Sequence, residues 1–215
     1  KDTTPGDIVA VYRNMETDTP KKRFVIGIVD DVTNLSLEIK ENPDTTPTGT
    51  HSCKFWGLGA DGTVGANKNS IKIIGDHTDM YAQGYFAYDS KKSGGLTVSH
   101  LRFGDKPIKS TYYISKADFV ACHNPAYVGK YDMVDDLKKG GSFLLNCPWD
   151  VEELDKRLPG KMKKFIADNE IKFYTIDGIK IGKEIGLGGR INTILQAAFF
   201  KIANIIPAAD AIQFM

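Results

Sequence analysis

The chain has 215 residues, of which 41% are hydrophobic and 26% charged, a composition typical of globular proteins. Its 28 basic and 27 acidic residues give a net charge of +1 at pH 7, so no overall field favours nucleic acid or an anionic membrane as a partner. The sequence contains no apolar run of about 18 residues and no signal-peptide pattern at its start. We therefore expect a cytoplasmic protein that binds neither nucleic acid nor membranes.

The first fifty residues are predicted to form a small β-rich segment and a linker. The stretches DIVAVYR and RFVIGIVDDVTNLSLEI, within residues 7–40, alternate apolar and polar positions, which is typical of strands. Residues 41–52 read ENPDTTPTGTHS, with no periodicity and much Pro and Thr, which indicates a linker. We therefore divide the sequence into a β-rich lead-in and linker over 1–50 and a main domain over 51–215.

The main domain alternates predicted strands with predicted helices. The predicted strands are CKFWGL, YAQGYFAYD, LTVSHLRFG, ADFVACHN, SFLLNC and IKFYTI. The predicted helices are NKNSIKIIGDHT, PAYVGKYDMVDDLKKGG from Pro125 to Gly140, DVEELDKRL with GKMKKFIADN across a break at Pro159, and RINTILQAAFFKIANII. This order predicts an α/β fold, with a mostly parallel sheet and helices on both faces.

The residues that most often carry chemistry are scattered. Cys53, Cys122 and Cys147 occur singly, without the spacing of metal or iron–sulfur ligands, and are predicted to be buried, reduced thiols. His123 and Asn146 follow predicted strands, where they either face a ligand or merely cap the strand ends. No nucleophile elbow, P-loop or HExxH motif occurs, so we predict no catalytic and no metal-binding residue.

The segment GLGADG, from Gly57 to Gly62, matches G-x-G-x-x-G between a predicted strand and a predicted helix. Glycines there permit positive φ and close backbone approach, and the amides at the helix N-terminus attract a phosphate. The small residues Gly65 and Ala66 extend the bare surface. Because glycine-rich turns of this kind also occur for structural reasons alone, the motif leaves both interpretations open.

Two further segments favour a phosphorylated ligand. Asp89 ends the second predicted strand, and Lys91 and Lys92 follow it, which favours a phosphorylated ribose over a bare one unless these lysines lie in an ordinary solvated turn. In GLGGRINT, Arg190 and Asn192 stand at the start of the last long helix. They face an anion or an adenine edge there, or Arg190 is simply a surface residue.

Together these segments resemble one known family. The stretches WGLGADGTVGANKNSIKIIG, YAQGYFAYDSKKSGGLTVSHLRFG, ADFVACHNPAYVGKYDMVDDLKKGGSFLLNCPW and GLGGRINTILQAAFFKIANIIP resemble the third, gamma-type domain of pyruvate:ferredoxin (flavodoxin) oxidoreductases. The resemblance runs from about Pro5 to Met215. It implies that pyruvate, coenzyme A and oxidised ferredoxin or flavodoxin are converted to acetyl-CoA, CO2 and the reduced carrier.

The resemblance also implies which group binds where. It places coenzyme A in this domain, on a loop, a basic position and a helix start that comprise Ala60, Asp61, Gly62, Thr63, Val64, Lys91, Lys92, Arg190 and Asn192. It places thiamine diphosphate, Mg and [4Fe-4S] clusters in other domains of a homodimeric enzyme, in the cytoplasm or in a reduced organelle such as a hydrogenosome. Those domains and the electron carrier are the implied partners, and this segment alone is expected to be inert.

The extent of the chain and two alternative interpretations of the glycine motif remain to be considered. The chain starts without Met and stops at AADAIQFM, after a Pro that favours a further helix, so we expect a C-terminally truncated piece of a longer protein. A free-standing NADP-binding or nucleotide-binding α/β oxidoreductase also fits the glycine motif. A purely structural lid or interface domain, in which the glycines serve close packing, fits it as well.

Overall fold

The structure, a computed structural model, describes residues 3–29, 32–89 and 94–215. The helices are α1 (Pro5–Met15), α2 (Thr63–His77), α3 (Val151–Arg157), α4 (Gly160–Asp168), α5 (Gly178–Glu184), α6 (Asn192–Ala203) and α7 (Ala208–Phe214). The strands are β1 (His51–Leu58), β2 (Tyr81–Tyr88), β3 (Leu96–Gly104), β4 (Ala117–Cys122), β5 (Leu137–Asn146) and β6 (Lys172–Ile176). The chain divides into unit 1, residues up to 48 with Lys109–Tyr113, and unit 2, Gly49–Ile108 with Ile114–Met215.

Unit 2 is built on one six-stranded sheet with the strand order β2-β3-β1-β4-β5-β6. The pairs β1–β4, β4–β5 and β5–β6 are parallel, whereas β3 runs antiparallel to both of its neighbours. Five strands therefore point the same way and β3 alone is reversed. The prediction of an α/β fold with a mostly parallel sheet is confirmed.

Helices cover both faces of this sheet, as the sequence predicted. Alternate residues of β4 face opposite sides, so Phe119 packs in one apolar cluster and Val120 in the other. The Phe119 cluster contains Ile74 of α2 and Phe199 of α6. The Val120 cluster contains Leu158, which follows α3, and Met162 of α4. The continuously apolar strands of the sequence are those buried on both faces.

The prediction of a helix from Pro125 to Gly140 is wrong. Only a 3₁₀ turn forms there, over Pro125–Tyr127, with the Asn124 side chain accepting the Ala126 amide. Leu137 already begins β5. Gly140 lies inside that strand with a φ of 75°, near an irregularity in the β4–β5 register, so it serves a bulge and not a helix end. The apolar residues that suggested a helix are buried, but the segment between Tyr127 and Leu137 that carries them has no regular secondary structure.

The strand predicted for DIVAVYR is also wrong, because these residues form α1 in unit 1. Thr4 caps the helix by accepting the Asp7 amide while the Asp7 carboxylate accepts the Thr4 amide, and Pro5 occupies the first helical turn. This capping box outweighs the apolar alternation. Elsewhere in the described part of unit 1 the only pairing is an isolated bridge between Val25 and Ser36, so the lead-in is not β-rich.

The three cysteines are buried and unpaired, as predicted. Burial raises the pKa of the Cys122 thiol to about 12 and raises the pKa of the Cys53 and Cys147 thiols as well. These thiols are therefore protonated near neutral pH.

Within the described residues, the helices are too short or too polar to span a lipid bilayer.

Candidate functional site

The glycine-rich loop lies at the topological switch point of the sheet. β1 is flanked by β3 on one side and β4 on the other. After β1 the chain adds β2 and β3 on one side, and it then crosses to the other side to add β4, β5 and β6. In open α/β sheets, the crevice outside the carboxyl ends of such strands is the usual ligand site. Residues 59–62 follow β1 at this crevice, and His123 follows β4.

The loop turns sharply and is held by its own carboxylate. Ala60 and Gly62 both adopt left-handed backbone conformations, with φ of 77° and 85°. The Asp61 carboxylate accepts the amides of Leu58 and Thr63, each at 2.8 Å. These two bonds compensate the cost of placing a non-glycine residue such as Ala60 at positive φ. Asp61 therefore shapes the loop from inside.

The N-terminus of α2 is open at this loop. Gly62 is its N-cap residue and offers no side chain, so the N-cap residue itself makes no side-chain hydrogen bond to the helix. Thr63 donates its amide to Asp61, and Ala66 donates its amide to the Gly62 carbonyl. The amides of Val64 and Gly65 belong to the first turn, where a helix has no internal acceptors. Asp61 takes up the Thr63 amide, and the amides of Val64 and Gly65 remain for an anion at this helix N-terminus.

A buried hydrogen-bond chain anchors the loop to the sheet. The Thr63 hydroxyl and His123 Nδ1 lie 2.7 Å apart. A Cβ on Gly57 would stand 2.6 Å from that hydroxyl, so only glycine allows Thr63 to approach β1 this closely. The Asn146 side-chain NH2 group donates to the His123 backbone carbonyl at 2.9 Å, and its side-chain oxygen accepts the Gly178 backbone N–H at 3.0 Å.

His123 is therefore a structural linker, as is Asn146. Burial lowers the pKa of His123 to about 4, against the opposing effect of the nearby Asp61 charge. The imidazole is thus neutral near pH 7 and holds Thr63 without adding positive charge to the site. Of the two interpretations of these strand-end residues, the geometry supports capping rather than ligand contact.

A cavity of about 320 Å³ opens beside the loop. It is lined by Leu58 to Gly62, Val64, Gly65, Tyr88, Asp89 and Gly95 to Thr97. The hairpin that joins β2 and β3 forms its second wall, where the Gly59 amide donates to the Gly95 carbonyl at 2.7 Å and the Asp89 amide to the Leu96 carbonyl at 3.0 Å. Four of the predicted site residues, Ala60, Asp61, Gly62 and Val64, border this cavity.

Asn192 approaches the same loop from α6. A Cβ on Gly62 would lie 3.0 Å from the Asn192 side-chain Cγ, so the two residues are in contact range. Farther along both helices, the Gln196 side-chain amide donates to the Ser70 hydroxyl at 3.0 Å. Helices α2 and α6 thus start together at the loop, and the N-cap residue of neither helix makes a side-chain capping bond. Sequence positions more than a hundred residues apart are brought to one point.

The predicted basic residues are not all at this point. Arg190 is exposed in the turn before α6, and its side chain has no ion pair with any described residue. Lys91 and Lys92 lie outside the described residues, although Asp89 and Gly95 on either side of that segment both line the cavity. Among the described lining residues, the charged groups are the carboxylates of Asp61 and Asp89.

Tyr88, Gly95, Leu96 and Thr97, which form the hairpin wall of the cavity, were not predicted from the sequence. A signal for it was present, because only seven residues separate Tyr88 from Leu96 and no helix fits between them. Parallel neighbours need a crossover of a dozen residues or more, so a connection this short requires an antiparallel pair. Within the described residues, no group of three or more His, Cys, Asp or Glu side chains is arranged to hold a metal ion.

Comparison with known proteins identifies the family. Residues 52–215 match the profile described as pyruvate ferredoxin/flavodoxin oxidoreductase, POR. The chain belongs to this family. The whole POR chain is 63% identical over 215 residues to the pyruvate:ferredoxin oxidoreductase of Moorella thermoacetica, and it spans 18% of that protein. It is 52% identical over 217 residues to the pyruvate dehydrogenase [NADP(+)] of Cryptosporidium parvum, of which it spans 11%.

Solved structures share the fold of the POR domain. Subunit PORC of the Thermotoga maritima pyruvate oxidoreductase matches with a TM-score of 0.59 at 17% identity, over 76% of this chain and 82% of that one. The 2-oxoglutarate:ferredoxin oxidoreductase of Magnetococcus marinus, solved with 2-oxoglutarate, coenzyme A and succinyl-CoA bound, matches with a TM-score of 0.52 at 14% identity, over 72% of this chain and 24% of that one. The POR chain thus corresponds to one part of larger oxidoreductases, and the same fold occurs both as a subunit and as a segment of a longer chain.

Proposed function

We propose that this POR domain binds coenzyme A at the cavity beside the glycine-rich loop. The observation that carries the proposal is the open N-terminus of α2 at Gly62, which borders a 320 Å³ cavity and meets Asn192 of α6. Coenzyme A carries a pyrophosphate and a ribose phosphate, and bare amides at a helix N-terminus suit such anions. The choice of ligand is supported by a 2-oxoglutarate:ferredoxin oxidoreductase that was solved with coenzyme A bound and contains a segment of the same fold.

Each residue group has its own role in this proposal. The amides of Val64 and Gly65 bind the pyrophosphate, while Ala60 and Gly62 keep the backbone bare enough for close approach. The Asn192 side chain donates a hydrogen bond to a phosphate oxygen or to the adenine edge. Asp61 and Thr63 hold the loop in shape.

The proposed charge complement comes from the lysines. A phosphate beside Asp61 and Asp89 needs a cation to offset those carboxylates, and the described lining supplies none. We assign Lys92, with Lys91 beside it, to the ribose phosphate, and Arg190 to the outer edge of the ligand. A cavity of this size holds only part of coenzyme A, so the thiol end extends toward another domain.

The full-length oxidoreductase carries out the chemistry in this proposal. It converts pyruvate and coenzyme A to acetyl-CoA and CO2 and reduces ferredoxin or flavodoxin. Thiamine diphosphate, Mg and the [4Fe-4S] clusters belong to its other domains, and the full enzyme is a homodimer in the cytoplasm or a comparable reduced compartment. Relatives similar over the whole chain are named for ferredoxin and for NADP(+), so the electron acceptor is set outside this segment.

The fold also bears on the alternative of an NADP site. In dinucleotide-binding sheets, the strand that carries the acidic ribose ligand lies next to the strand before the glycine loop. Here β3 separates β2 from β1, so Asp89 at the end of β2 is one strand farther from the loop. This displacement favours coenzyme A over a dinucleotide bound in the standard way.

Calorimetry on the full-length enzyme tests the proposal. The variant Lys92→Ala is compared with Lys156→Ala, which removes an exposed lysine from α3. Because a hydrogen bond to a charged group contributes about 1.5–3 kcal/mol, Lys92→Ala is expected to weaken coenzyme A binding at least about tenfold, and Lys156→Ala to leave it unchanged. Equal losses in both variants, or tighter binding of NADPH than of coenzyme A, would contradict the proposal.

A further inference from the structure

Unit 1 carries apolar side chains on its outside. On α1, Ile8, Tyr12 and Met15 are spaced four and three residues apart and so lie along one helix face. All three are exposed, with Tyr12 at 63% and Met15 at 65% of their full accessible area. Apolar stripes on helices normally face a core, and this one faces solvent.

A second exposed apolar area lies later in unit 1. Val29 and Val32 are 87% and 92% exposed, and Ile28 and Ile39 are exposed as well. Ile28, Val29 and Ile39 line an open groove of about 370 Å³. We refer to these two areas together as the unit 1 apolar surface, which comprises Ile8, Tyr12, Met15, Ile28, Val29, Val32 and Ile39.

The inside of unit 1 is polar. The buried Asp7 carboxylate accepts the amides of Thr4 and Gly27, and the Gly6 amide donates to the Asn42 side chain at 2.8 Å. Among the described residues of this unit, Ala10 is the only buried hydrophobic one, and neither apolar cluster of the chain includes a unit 1 residue. Hydrogen bonds thus set the local shape of unit 1, while its apolar groups are left for another surface to cover.

The comparisons indicate what covers it. The family profile begins at residue 52, so it excludes almost all of unit 1, whereas the Moorella thermoacetica relative matches the entire chain. That relative has most of its length outside the matched segment, since the chain spans 18% of it. Unit 1 therefore accompanies the fold in a long oxidoreductase chain, most of which lies outside the matched segment.

We infer that the unit 1 apolar surface is a docking face for another domain of the same oxidoreductase, which covers it with an apolar surface of its own. The inference rests on the proposed function only in placing the chain within a longer oxidoreductase. It explains why a segment of about 50 residues keeps a defined α1 without a hydrophobic core, because a unit this small needs an external contact to bury its apolar area. The same contact fixes unit 1 at a domain boundary.

Photo-crosslinking in the full-length enzyme tests this inference. Tyr12 and Val29 are replaced, one at a time, by p-benzoylphenylalanine, and Asp18, an exposed polar residue of the same unit, serves as the matched control. All three positions are exposed in the chain itself, so the replacement leaves its folding intact. After irradiation, the cross-linked peptides are identified by mass spectrometry.

The expected result is an efficient cross-link from positions 12 and 29 to peptides outside residues 1–215, several-fold stronger than from position 18. Cross-links confined to peptides within residues 1–215, whether from the same chain or from a second copy, would overturn the inference. Yields at positions 12 and 29 no higher than at position 18 would overturn it as well. The readout needs no coenzyme A, so its failure is distinct from a failure of the proposed ligand site.

Discussion

Replacing Gly62 with alanine tests how the loop geometry depends on one backbone position. Gly62 has a φ of 85°, where an L-residue loses roughly 1–2 kcal/mol in the left-handed conformation. The new Cβ would also stand 3.0 Å from the Asn192 side-chain Cγ, which must move. We expect Gly62→Ala to lower the free energy of unfolding by about 2 kcal/mol, which for a chain of this length lowers Tm by about 4–8 °C. Urea and thermal unfolding followed by circular dichroism measure both quantities.

Gly65→Ala is the matched control in the same turn of α2. Gly65 also lines the cavity, but it has no positive φ and a Cβ there would meet nothing within 4 Å. Alanine is the better helix former, so this variant should be more stable than the parent protein by about 0.5 kcal/mol. If coenzyme A binds at the first turn, the added methyl group should still weaken its binding. Stability and affinity therefore change in opposite directions in this variant.

Two results would refute this reasoning. If Gly62→Ala is as stable as the parent protein, the loop accepts a Cβ at position 62 despite the positive φ and the nearby Asn192 side chain. The expected backbone strain would then be absent. Gly65→Ala with unchanged affinity for coenzyme A would mean that the ligand does not approach the first turn of α2. The first outcome concerns the folding of the loop, and the second concerns the location of the site.

The remaining predictions concern the buried hydrogen-bond chain. Thr63→Ala leaves buried His123 Nδ1 without its partner and should lower the free energy of unfolding, measured in urea, by about 1–3 kcal/mol. Thr63→Ser keeps the hydroxyl and should retain most of the stability. Equal losses of stability in the two variants would count against the hydrogen bond. Asn146→Leu removes partners from two backbone groups, at the His123 carbonyl and the Gly178 amide, and should cost at least as much; a neutral effect would show that water replaces the side chain. Burial lowers the pKa of His123 to about 4 from its usual 6.5, so the unfolded chain takes up a proton first as the pH falls. Stability from this group is therefore complete above pH 6.5 and declines between about pH 6.5 and 4, by about 1.4 kcal/mol per pH unit. The variant His123→Asn should flatten this slope relative to the parent protein, and an unchanged slope would assign the effect to other groups, including His100.

The strands of the main domain were predictable because their signal is local. Apolar runs bounded by turn residues predicted β1 to β4 and β6, and the glycine motif predicted where α2 begins. The motif also predicted a site at the loop, and Gly57 has a packing role there that the motif alone does not distinguish from ligand binding. The meeting of Asn192 with Gly62 had no local signal, since it depends on how α6 packs beside α2.

The wrong and missed secondary-structure predictions have physical causes that hydrophobic periodicity alone does not reveal. In DIVAVYR, a capping box at Thr4 and Asp7 outweighed an alternation typical of strands. After Pro125, buried apolar residues such as Met133 and Val134 mimicked a helix, although irregular chain buries them equally well. α5 (Gly178–Glu184) was missed because two of its seven residues are Gly178 and Gly182, and glycine disfavours a helix.

The reversed direction of β3 has a consequence for how this protein family can diversify. Because β3 returns beside β2, the connection between them ends at the same edge of the sheet as the glycine loop. A hairpin connection tolerates changes in length and charge, since the paired strands below it keep their register independently. Side-chain changes at Tyr88 or Leu96, which line the cavity, can therefore alter its wall without removing a hydrogen-bond partner of Thr63. The shape of the proposed ligand cavity and the stability of the fold can therefore change independently.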